Sequence, residues 1–396
     1  MSAQPYAVMV ASNFPFPETS GGRKRTARLL AAMARAGLMP VLLTSEPLRA
    51  EDRRAFADRG WIAESHPSAR RAAGPRLRRH ARQLPISLST GLTRRLRMLA
   101  RGAAFVQFEE VWAMSYAVAT PALRVPAIAS TYNVESVARS DPSAPALPRS
   151  SRDAYARYRL AQLTSVERRA VRACDLTLAV SDADARAFDD RGARETLVVA
   201  NGVDDRLLSL PEHGEADTVL FFGQLGYEPN VRGLLWFLDA VWPSVLRDAP
   251  SARLRIVGAS APDRLVAAAQ QAPRVDFGGF VADLEHELAR SRVVIAPIPF
   301  GGGTRMKVLE AMAAGRPVVG TRLGVEEIGF RDGEHGFVAD APEDMAAAVV
   351  RLMSDGALAR DFGRAAREHA RGFVWTGVTA PLEDRYRAWA ANHGAP

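Results

Sequence analysis

The sequence predicts an α/β protein with two Rossmann-like, doubly wound parallel-sheet domains that face each other across a cleft. Short apolar runs rich in β-branched residues alternate with amphipathic helical segments along the chain. The alternation pauses once, in a polar stretch at residues 205–217 that contains Pro211 and Gly214, and then restarts. A length of 396 residues suits two domains of ordinary size.

In the first half, each predicted strand is a short apolar run that ends in a polar or glycine-containing loop. These strands are predicted at residues 6–11, 39–44, 105–108, 127–131, 176–180 and 197–200. Helices are predicted at residues 23–36 and 155–172, and a further helix is capped by Ser181. We therefore expect an N-terminal Rossmann-like domain at residues 1–205.

The second half repeats the alternation with short connections. Its strands are predicted at residues 219–222, 253–257, 275–277, 293–297, 317–321 and 338. Its helices are predicted at residues 231–241, 261–270, 283–289, 305–314, 342–353 and 357–370. We therefore expect a C-terminal Rossmann-like domain at residues 217–376.

The β-α-β unit at residues 293–321 has the features of a phosphate site. Gly301, Gly302 and Gly303 form a loop without side chains, and Thr304 is the predicted N-cap of the next helix. Such a loop presents backbone N–H groups to an anion at the positive end of the helix dipole. The alternative is an ordinary glycine-rich loop of a doubly wound fold.

Charged residues follow this loop directly. Arg305 and Lys307 fall in the first helical turn, where cations are unfavourable unless an anion compensates them. Glu310 would lie about six residues into the helix, roughly 9 Å along its axis from the start, within reach of a sugar hydroxyl. The alternatives are an ordinary surface pair of Lys307 and Glu310 and a simple surface carboxylate at Glu310. The spacing therefore favours a bound diphosphate without requiring one.

Gly21 and Gly22 follow the first predicted strand and begin a second helix in the same arrangement. The polar residues Tyr132, Asn133 and Glu135 follow another predicted strand. In doubly wound sheets, ligands bind outside the carboxyl ends of the strands. We therefore expect both segments to contribute to a ligand site.

The polar strand ends also have structural alternatives. Tyr132 could be a packing aromatic, and Glu135 could be a favourable charge at a helix start. The pair Glu109–Glu110, which follows the predicted strand at 105–108, could be a solvated strand end. The sequence alone leaves these alternatives open.

Basic charge is concentrated in one segment of a chain whose formal net charge is +8. Residues 66–102 contain ten arginines and no Asp or Glu, with leucines at helix-like intervals. This pattern predicts either a surface for anionic lipid headgroups or a channel for a phosphorylated acceptor. A solvated, arginine-rich helix pair is the alternative, and nucleic acid is disfavoured because no aromatic residues are interleaved.

Composition excludes other classes of site. A single cysteine, Cys174, excludes a disulfide framework, and the seven histidines form no ligand-spaced cluster, so we expect no bound metal. The first residues lack a signal-peptide pattern, and no apolar run has the length of a membrane span. We expect a cytoplasmic protein with peripheral contact to the inner membrane face at most.

Several motifs along the chain resemble one enzyme family. They are Gly21-Gly22, SDADA at 181–185, NGVD at 201–204, FFGQLGYEPN at 221–230, GGFVAD at 278–283, GGGTRMKVLEAMAAGRPVV at 301–319 and FVW at 373–375. Together they resemble the retaining glycosyltransferases of the GT-B fold, in particular glycosyltransferase family 4, also called glycosyl transferases group 1. The resemblance implies that a helix at residues 377–396 crosses back to the N-terminal domain.

The resemblance also implies a nucleotide-diphosphate-sugar donor, bound mainly by the C-terminal domain, and an acceptor bound by the N-terminal domain. Residues 301–304 would contact the diphosphate and sugar, and Gly21–Gly22 would close over the diphosphate. Glu310 matches the second Glu of the family's E-x7-E motif, which holds the ribose. Gly258 and Val281 would border the base.

Four positions depart from the family pattern. Gly302 replaces the first Glu of the motif, and Gln224 and Asn230 stand where many relatives carry an Arg and a Lys. Tyr132 replaces the His of a T-H-N-V-E segment, which contacts the donor sugar in relatives. A diphosphate leaving group still needs its charge neutralised, and our hypothesis is that Arg305 and Lys307 do this.

The resemblance thus implies a metal-independent, retaining glycosyltransferase in which the departing diphosphate accepts the proton of the acceptor hydroxyl. Two alternatives remain open at this point. One is a nucleotide-sugar epimerase, or a phosphorylase, of the same fold. The other is a non-catalytic protein that binds nucleotide sugars, which the replaced Glu and His make plausible.

Overall fold

A computed structural model describes residues 4–18, 20–67, 88–121, 123–132, 134, 151–212, 217–301 and 305–393. The chain divides into a first unit, Met1–Ala200 with Thr379–Pro396, and a second unit, Asn201–Val378. The predicted linker at 205–217 begins with a 3-10 helix, Asp205–Ser209, whose Leu207 is buried in the core of the second unit. Residues 213–216 lie outside the described residues.

The first unit contains a parallel sheet of seven strands among its described residues. These are β1 Tyr6–Ala11, β2 Met39–Thr44, β3 Ile62–Ser65, β4 Val106–Glu109, β5 Ala127–Ser130, β6 Leu176–Ala179 and β7 Thr196–Val198. The strands pair in the order β3-β2-β1-β4-β5-β6-β7, so the order reverses between β1 and β4. The α-helices are Gly21–Arg35, Ala50–Ala57, Thr90–Leu99, Glu110–Ala119, Ser151–Ala173 and Asp182–Asp190.

The described part of the second unit contains a parallel sheet of six strands. These are β8 Thr218–Phe222, β9 Arg253–Val257, β10 Val275–Gly279, β11 Val293–Ala296, β12 Val318–Gly320 and β13 Gly336–Val338. Their order is β10-β9-β8-β11-β12-β13, with the reversal between β8 and β11. The α-helices are Glu228–Trp236, Trp242–Asp248, Asp263–Gln271, Leu284–Arg290, Met306–Ala313, Pro342–Ser354 and Gly356–Ala370. Shorter helical segments are Phe237–Val241 (π) and the 3-10 helices Leu323–Val325 and Arg371–Phe373.

Strands such as β1 and β8 are buried on both faces of their sheets, which explains why they are continuous apolar runs. In β1, Val8 packs into one core cluster and the adjacent Met9 into another. In β8, Phe221 and Phe222 are divided between two clusters in the same way. Because neighbouring side chains of a strand point to opposite faces, helices cover both sides of each sheet. The predicted pair of Rossmann-like domains is confirmed.

The helix Trp375–His393 begins in the second unit, and its residues from Thr379 onward belong to the first. Tyr386 of this helix stacks on Phe105, with 4.5 Å between the ring centroids. Arg35 forms a 2.7 Å ion pair with Glu383. The predicted return of the C-terminal helix to the N-terminal domain is therefore confirmed, and a buried aromatic contact and a partly exposed ion pair hold it there.

No described helix combines the length and the apolar character that crossing a membrane requires.

Gly233 permits the helix Glu228–Trp236 to pack against the chain that follows β11. A Cβ atom at this position would lie 1.8 Å from the carbonyl oxygen of Pro297. We expect Gly233→Ala to destabilise the second unit by about 1–3 kcal/mol. The free-energy cost of the steric overlap should exceed the roughly 1 kcal/mol that alanine gains over glycine in a helix. Thermal unfolding followed by calorimetry measures the change.

The control is Gly377→Ala, in the helix Trp375–His393, where a Cβ would meet no atom within 4 Å. This substitution should leave stability unchanged or raise it by up to about 1 kcal/mol. Equal effects of the two substitutions would show that the close approach at Gly233 does not limit packing.

Candidate functional site

The carboxyl ends of β8 and β9 meet through their main chains. Gly223 follows β8 with φ +146°, and Gly258 follows β9 with φ +154°. A Cβ on Gly258 would lie 1.8 Å from the carbonyl oxygen of Gly223. Only glycine fits at position 258, so backbone alone forms this part of the sheet edge.

Lys307 is a half-buried cation at the edge of the second sheet. It is the second residue of the helix Met306–Ala313, and its Nζ donates to the Asn230 side-chain oxygen at 2.6 Å. The same atom lies 4.3 Å from the ring centroid of Phe221 in β8. It is 3.5 Å from where a Cβ on Gly223 would be. The ammonium group therefore lies at the carboxyl end of β8, beside the reversal in strand order.

The surroundings of Lys307 change its protonation. The pKa of this amine is lowered to about 7, chiefly by burial and also by the positive charge of Arg305, while Glu310 opposes both effects. A neutral amide and an aromatic ring are weak counterparts for an ammonium ion. The amine is therefore partly neutral at pH 7 and would gain a proton when an anion binds nearby.

Asn230 connects Lys307 to the loop after β8. Its Nδ2 donates to the backbone oxygen of Gln224 at 2.8 Å, while its Oδ1 accepts from Lys307. Gln224 and Asn230 are the positions at which the family resemblance implies an Arg and a Lys. The amine of Lys307, which lies 77 residues further along the chain, brings a cation to this position.

Arg305 closes the loop after β11. Its guanidinium donates to the carbonyl oxygens of Gly301 at 2.7 Å and Leu323 at 2.9 Å, and the residue is 9% exposed. The N-cap of the following helix is Arg305, one residue after the predicted Thr304. Arg305 therefore has a clear role in holding the loop, and its contact with a diphosphate stays a prediction.

The other predicted donor-binding residues of the second unit have different surroundings. Gly301 has φ +105°, and a Cβ there would lie 2.9 Å from the hydroxyl oxygen of Tyr227. Glu310 is 7% exposed, so the alternative of a simple surface carboxylate is wrong. Val281 is partly buried against the core of the second unit. Gly302, Gly303 and Thr304 lie outside the described residues.

A cluster of polar side chains occupies the reversal point of the first sheet, between β1 and β4. The Tyr132 hydroxyl donates to Glu110 Oε1 at 2.7 Å, and the Asn13 amide donates to the same oxygen at 3.1 Å. The Tyr132 hydroxyl also lies 3.1 Å from the Thr26 hydroxyl. Asn133 and Glu135, predicted for the same site, lie outside the described residues.

The predicted glycine-led helix start lies against this cluster. The helix begins at Gly21 with Ser20 as its N-cap. A Cβ on Gly22 would lie 2.7 Å from Cε2 of Tyr132, so the tyrosine ring packs directly on the glycine. Thr26 donates from its hydroxyl to the Gly22 carbonyl at 3.0 Å. Tyr132 therefore both packs against the helix start and hydrogen-bonds to it through Thr26.

The alternative that Glu109 and Glu110 form a solvated strand end is wrong, because they are 0% and 7% exposed. Glu109 lies 3.8 Å from the buried Arg25, measured between Oε1 and Nε. Burial raises the pKa of Glu109, while Arg25 opposes the shift. Burial raises the pKa of Glu110 to about 7, and Glu109 adds to this, although Tyr132 and Asn13 favour the carboxylate.

Sequence reasoning missed Asn13, Thr26 and Glu110 as members of this cluster. The available signal was the run Gln107-Phe108-Glu109-Glu110, in which polar residues interrupt an otherwise apolar strand end. Carboxylates are rarely buried without a partner. Two of them at the end of a predicted central strand therefore indicate a polar network.

An arginine surface, defined here as Arg94, Arg97 and Arg101, lies at the helix Thr90–Leu99 and just beyond it. Together with Leu88, Met98 and Ala119, these side chains line a cavity of about 600 Å³. Met98 is 54% exposed, which leaves apolar surface beside the three cations. Residues 68–87 of the predicted basic segment lie outside the described residues.

Lysine is rare in this chain: of 52 Lys and Arg residues, only Lys24 and Lys307 are lysines. Lys24 lies in the first turn of the helix that begins at Gly21, and Lys307 in the first turn of the helix after Gly301. A desolvated lysine can lose its proton, whereas arginine remains charged. The chain thus uses an amine at both predicted phosphate-binding helix starts.

Within the described ranges, no group of three His, Cys, Asp or Glu residues could hold a metal ion. The predicted metal independence remains a prediction.

A family model described as "Glycosyl transferases group 1" matches residues 216–355. The matched segment includes Lys307, Asn230 and Glu310. A phosphatidyl-myo-inositol mannosyltransferase of Mycobacterium tuberculosis is 29% identical over 231 residues, which are 54% of this chain and 60% of the relative. A D-inositol 3-phosphate glycosyltransferase of Corynebacterium glutamicum is 32% identical over 26% of this chain and 25% of the relative. The chain thus spans three fifths or less of these curated relatives.

Solved structures match the chain almost end to end. A sucrose-phosphate synthase from Thermosynechococcus elongatus has a TM-score of 0.73 at 18% identity, covering 98% of this chain and 100% of that one. Anabaena HepE in complex with UDP-glucose has a TM-score of 0.68 at 17% identity, covering 97% and 99%. At these identities the likeness shows the fold alone, which is GT-B.

The pKa of Lys307 predicts how stability depends on pH. Between about pH 7 and the ordinary lysine pKa of about 10.4, the unfolded chain binds more protons than the folded one, so folding becomes more favourable as pH rises. We expect Lys307→Met to remove this contribution, at most about 1.4 kcal/mol per pH unit. Calorimetry at pH 7.5 and 9.5 on both proteins measures it.

The control is Arg322→Gln, which removes an exposed cation of the same unit. Its free energy of unfolding should change with pH as that of wild type does between pH 7.5 and 9.5. An unchanged slope in Lys307→Met would mean that the amine is charged in the folded protein throughout this range.

Proposed function

We propose that this chain, which has the GT-B fold and matches the model of the glycosyl transferases group 1 over residues 216–355, is a retaining glycosyltransferase that uses a nucleotide-diphosphate-sugar donor. One observation carries the proposal within that segment. The amine of Lys307 lies at the carboxyl end of β8, bound to Asn230, where the family pattern calls for a cation. A cation there can neutralise a diphosphate leaving group.

The donor site proposed in the second unit combines main chain and a few side chains. Backbone N–H groups of residues 301–304 and the amine of Lys307 bind the diphosphate, and Glu310 accepts from the ribose hydroxyls. Gly258 and Val281 border the base. Gly21 and Gly22, with Tyr132, Asn133 and Glu135, are proposed to contact the diphosphate and the transferred sugar.

The proposed reaction needs no carboxylate nucleophile. The bond between the anomeric carbon and the diphosphate oxygen breaks, and the positive charge that develops on the sugar remains paired with the diphosphate. The acceptor hydroxyl attacks on the same face, and its proton passes to a diphosphate oxygen. The protein contributes positioning and neutralisation of the leaving-group charge.

The proposed acceptor is anionic, and a lipid-linked acceptor at a membrane surface fits the first unit best. The cavity at the arginine surface combines three cations with apolar lining, which suits an anionic headgroup joined to an apolar chain. The names of two relatives specify a phosphatidyl-inositol and an inositol phosphate as the molecules they act on.

A donor screen tests the function. The protein is incubated with UDP-glucose, UDP-N-acetylglucosamine and GDP-mannose, and free nucleoside diphosphate and sugar products are measured. Slow donor hydrolysis that accelerates with an inositol phosphate or phosphatidylinositol acceptor supports the transferase. Epimer formation would support the epimerase, and binding without turnover the non-catalytic alternative.

Nucleotide binding should change the protonation of Lys307. Because the amine is mostly neutral at pH 8, a bound diphosphate should draw close to one proton into the site. Titration calorimetry with UDP and with GDP, in buffers of different ionisation enthalpy, measures this proton uptake.

The matched variant is Lys307→Arg, which keeps a cation but cannot take up a proton. At pH 8, this variant should take up about one proton fewer than wild type when it binds nucleotide. Equal uptake in both proteins would remove Lys307 from the diphosphate site.

The arginine surface should promote binding to anionic membranes. We expect the double variant Arg94→Gln/Arg101→Gln to bind vesicles of phosphatidylglycerol and phosphatidylcholine at least about tenfold more weakly, at about 1 kcal/mol per cation near the surface. Vesicle co-sedimentation at two salt concentrations measures the change.

The control is Arg53→Gln/Arg54→Gln, an equal loss of charge from exposed positions on the helix Ala50–Ala57. If both double variants lost binding equally, net charge rather than this surface would be responsible.

A further inference from the structure

The buried cluster of the first unit forms a chain of hydrogen bonds, here called the hydroxyl relay: Glu110, Tyr132, Thr26 and the Gly22 carbonyl. Consecutive oxygens are 2.7, 3.1 and 3.0 Å apart. The relay leads from a carboxyl group at the end of β4 to the first turn of the helix Gly21–Arg35. It thus connects a titratable side chain to one of the two glycine-led helix starts.

The number of hydrogen-bonding protons in the relay depends on whether Glu110 is protonated or ionised. Three contacts link the four groups, and each contact needs one proton. Tyr132 and Thr26 supply one proton each, because burial holds the pKa of the tyrosine well above its ordinary value and a hydroxyl carries only one hydrogen. The Gly22 carbonyl supplies none. The third proton has to come from Glu110.

We propose that Glu110 is a positioning residue for the helix start at Gly21–Gly22, and that only its protonated form completes the relay. Protonated Glu110 donates to Tyr132, Tyr132 donates to Thr26, and Thr26 donates to the Gly22 carbonyl. When Glu110 is ionised, its carboxylate accepts the hydrogen bond of the Tyr132 hydroxyl, which then cannot donate to Thr26. Thr26 then has one proton for two acceptors, Tyr132 and Gly22, and one contact is lost.

The backbone at Glu110 supports a specific role. Its φ of +73° is unfavourable for a side chain of this type, and such strain persists only where the surrounding structure fixes it. The carboxyl group also accepts from the Asn13 amide, at 3.1 Å to Oε1 and 3.4 Å to Oε2, and this bond is compatible with either protonation state. The strained backbone at Glu110 thus occurs together with hydrogen bonds that fix its carboxyl group against Tyr132 and Asn13.

Other ionisable groups face the relay from several elements. Among the described residues, Glu109 of β4 acts electrostatically on Glu110 and Tyr132, and Arg25 of the helix Gly21–Arg35 acts on Tyr132. Asp184 of the helix Asp182–Asp190 and Tyr386 of the helix Trp375–His393 act on Arg25. The Arg25 guanidinium lies 3.8 Å from Glu109 and opposes the rise in the pKa of Glu109. Burial raises the pKa of Glu110 to about 7, so both of its states are populated near neutral pH.

The functional consequence rests on the proposed function, in which Gly21 and Gly22 contact the donor diphosphate. Loss of one relay contact loosens the helix start, and donor affinity should fall as pH rises through neutrality. The geometry of the relay and the titration of Glu110 do not depend on that function. The two parts can therefore fail separately.

The relay itself is tested by NMR on the full chain. With 13C-labelled glutamate carboxyl groups, wild type should show one carboxyl that titrates near pH 7 and is missing in Glu110→Gln. The backbone amide signals of residues 21–26 should shift with the same midpoint. This shift should persist in Thr26→Ser, which keeps the hydroxyl, and vanish in Thr26→Val, which removes it without a large change of shape.

The effect on donor binding is tested with UDP between pH 6 and pH 8. Over this range, the UDP affinity of wild type should fall about fivefold more than that of Glu110→Gln. A factor of about five in Kd corresponds to the free energy of one neutral hydrogen bond. Thr26→Ser should follow wild type, and Thr26→Val should bind UDP weakly at both pH values. Lys307 and the nucleotide contribute equally to all four proteins, so the difference isolates the relay.

Three outcomes decide the matter. A Glu110 carboxyl that titrates in the ordinary range, or amide shifts that are the same in Thr26→Val and wild type, would overturn the relay. An equal pH dependence of UDP affinity in wild type and Glu110→Gln would overturn its role in positioning the donor. Titration and amide shifts as expected, together with no nucleotide binding at any pH, would support the relay and contradict the proposed function.

Discussion

A partly desolvated amine is the interaction on which the candidate donor site depends. Lys307 faces the neutral side chain of Asn230 and the ring of Phe221, and among the described residues no carboxylate forms an ion pair with it. Without an anion, the burial of such a cation is unfavourable in free energy, and a bound anion stabilises it. The helix dipole acts in the same direction, since an amine in the first turn is unfavourable until negative charge is present. The site is therefore complementary to a diphosphate in its charge.

The first unit has a buried carboxyl group, Glu110, where the second unit has a half-buried amine. Glu110 lies at the reversal of the first sheet, as Lys307 does in the second, and burial moves both groups toward a pKa of about 7. In the second unit, burial favours the neutral amine, and in the first it favours the neutral acid. The two Rossmann-like units thus place groups of opposite type at the same topological position, which is where sheets of this kind bind ligands. Each group can change charge when a ligand or a change of pH alters its surroundings.

Much of the fold was predictable from local pattern, and the failures have physical causes. The boundaries of β1 and β2 agree with the predictions because continuous apolar runs leave little ambiguity in a two-sided buried sheet. The edge strand β3 was missed because its side chains are half exposed and include Glu64, so no apolar run marks it. The helix Glu110–Ala119 was missed because it begins directly after β4 with no connecting loop.

The candidate site was predictable only in part. The glycines, Lys307 and Glu310 could be identified from spacing, whereas the pairing of Lys307 with Asn230 joins residues 77 positions apart and has no local signature. The same holds for Tyr132 and Glu110, because two adjacent glutamates resemble a solvated loop until the strand end is seen to be buried. Distances across a sheet edge are set by topology, which local patterns do not encode.

The close approach of Gly223 and Gly258 has a consequence for how this protein can diverge. Because main chain fills the space where the Gly258 side chain would be, the shape of that edge does not depend on which side chains surround it. A frame of this kind allows a charge to be supplied from elsewhere: positions 224 and 230 carry neutral side chains, and the amine of Lys307 reaches Asn230 from a neighbouring helix. Enzymes sharing such a frame need not share the residues that perform the same task.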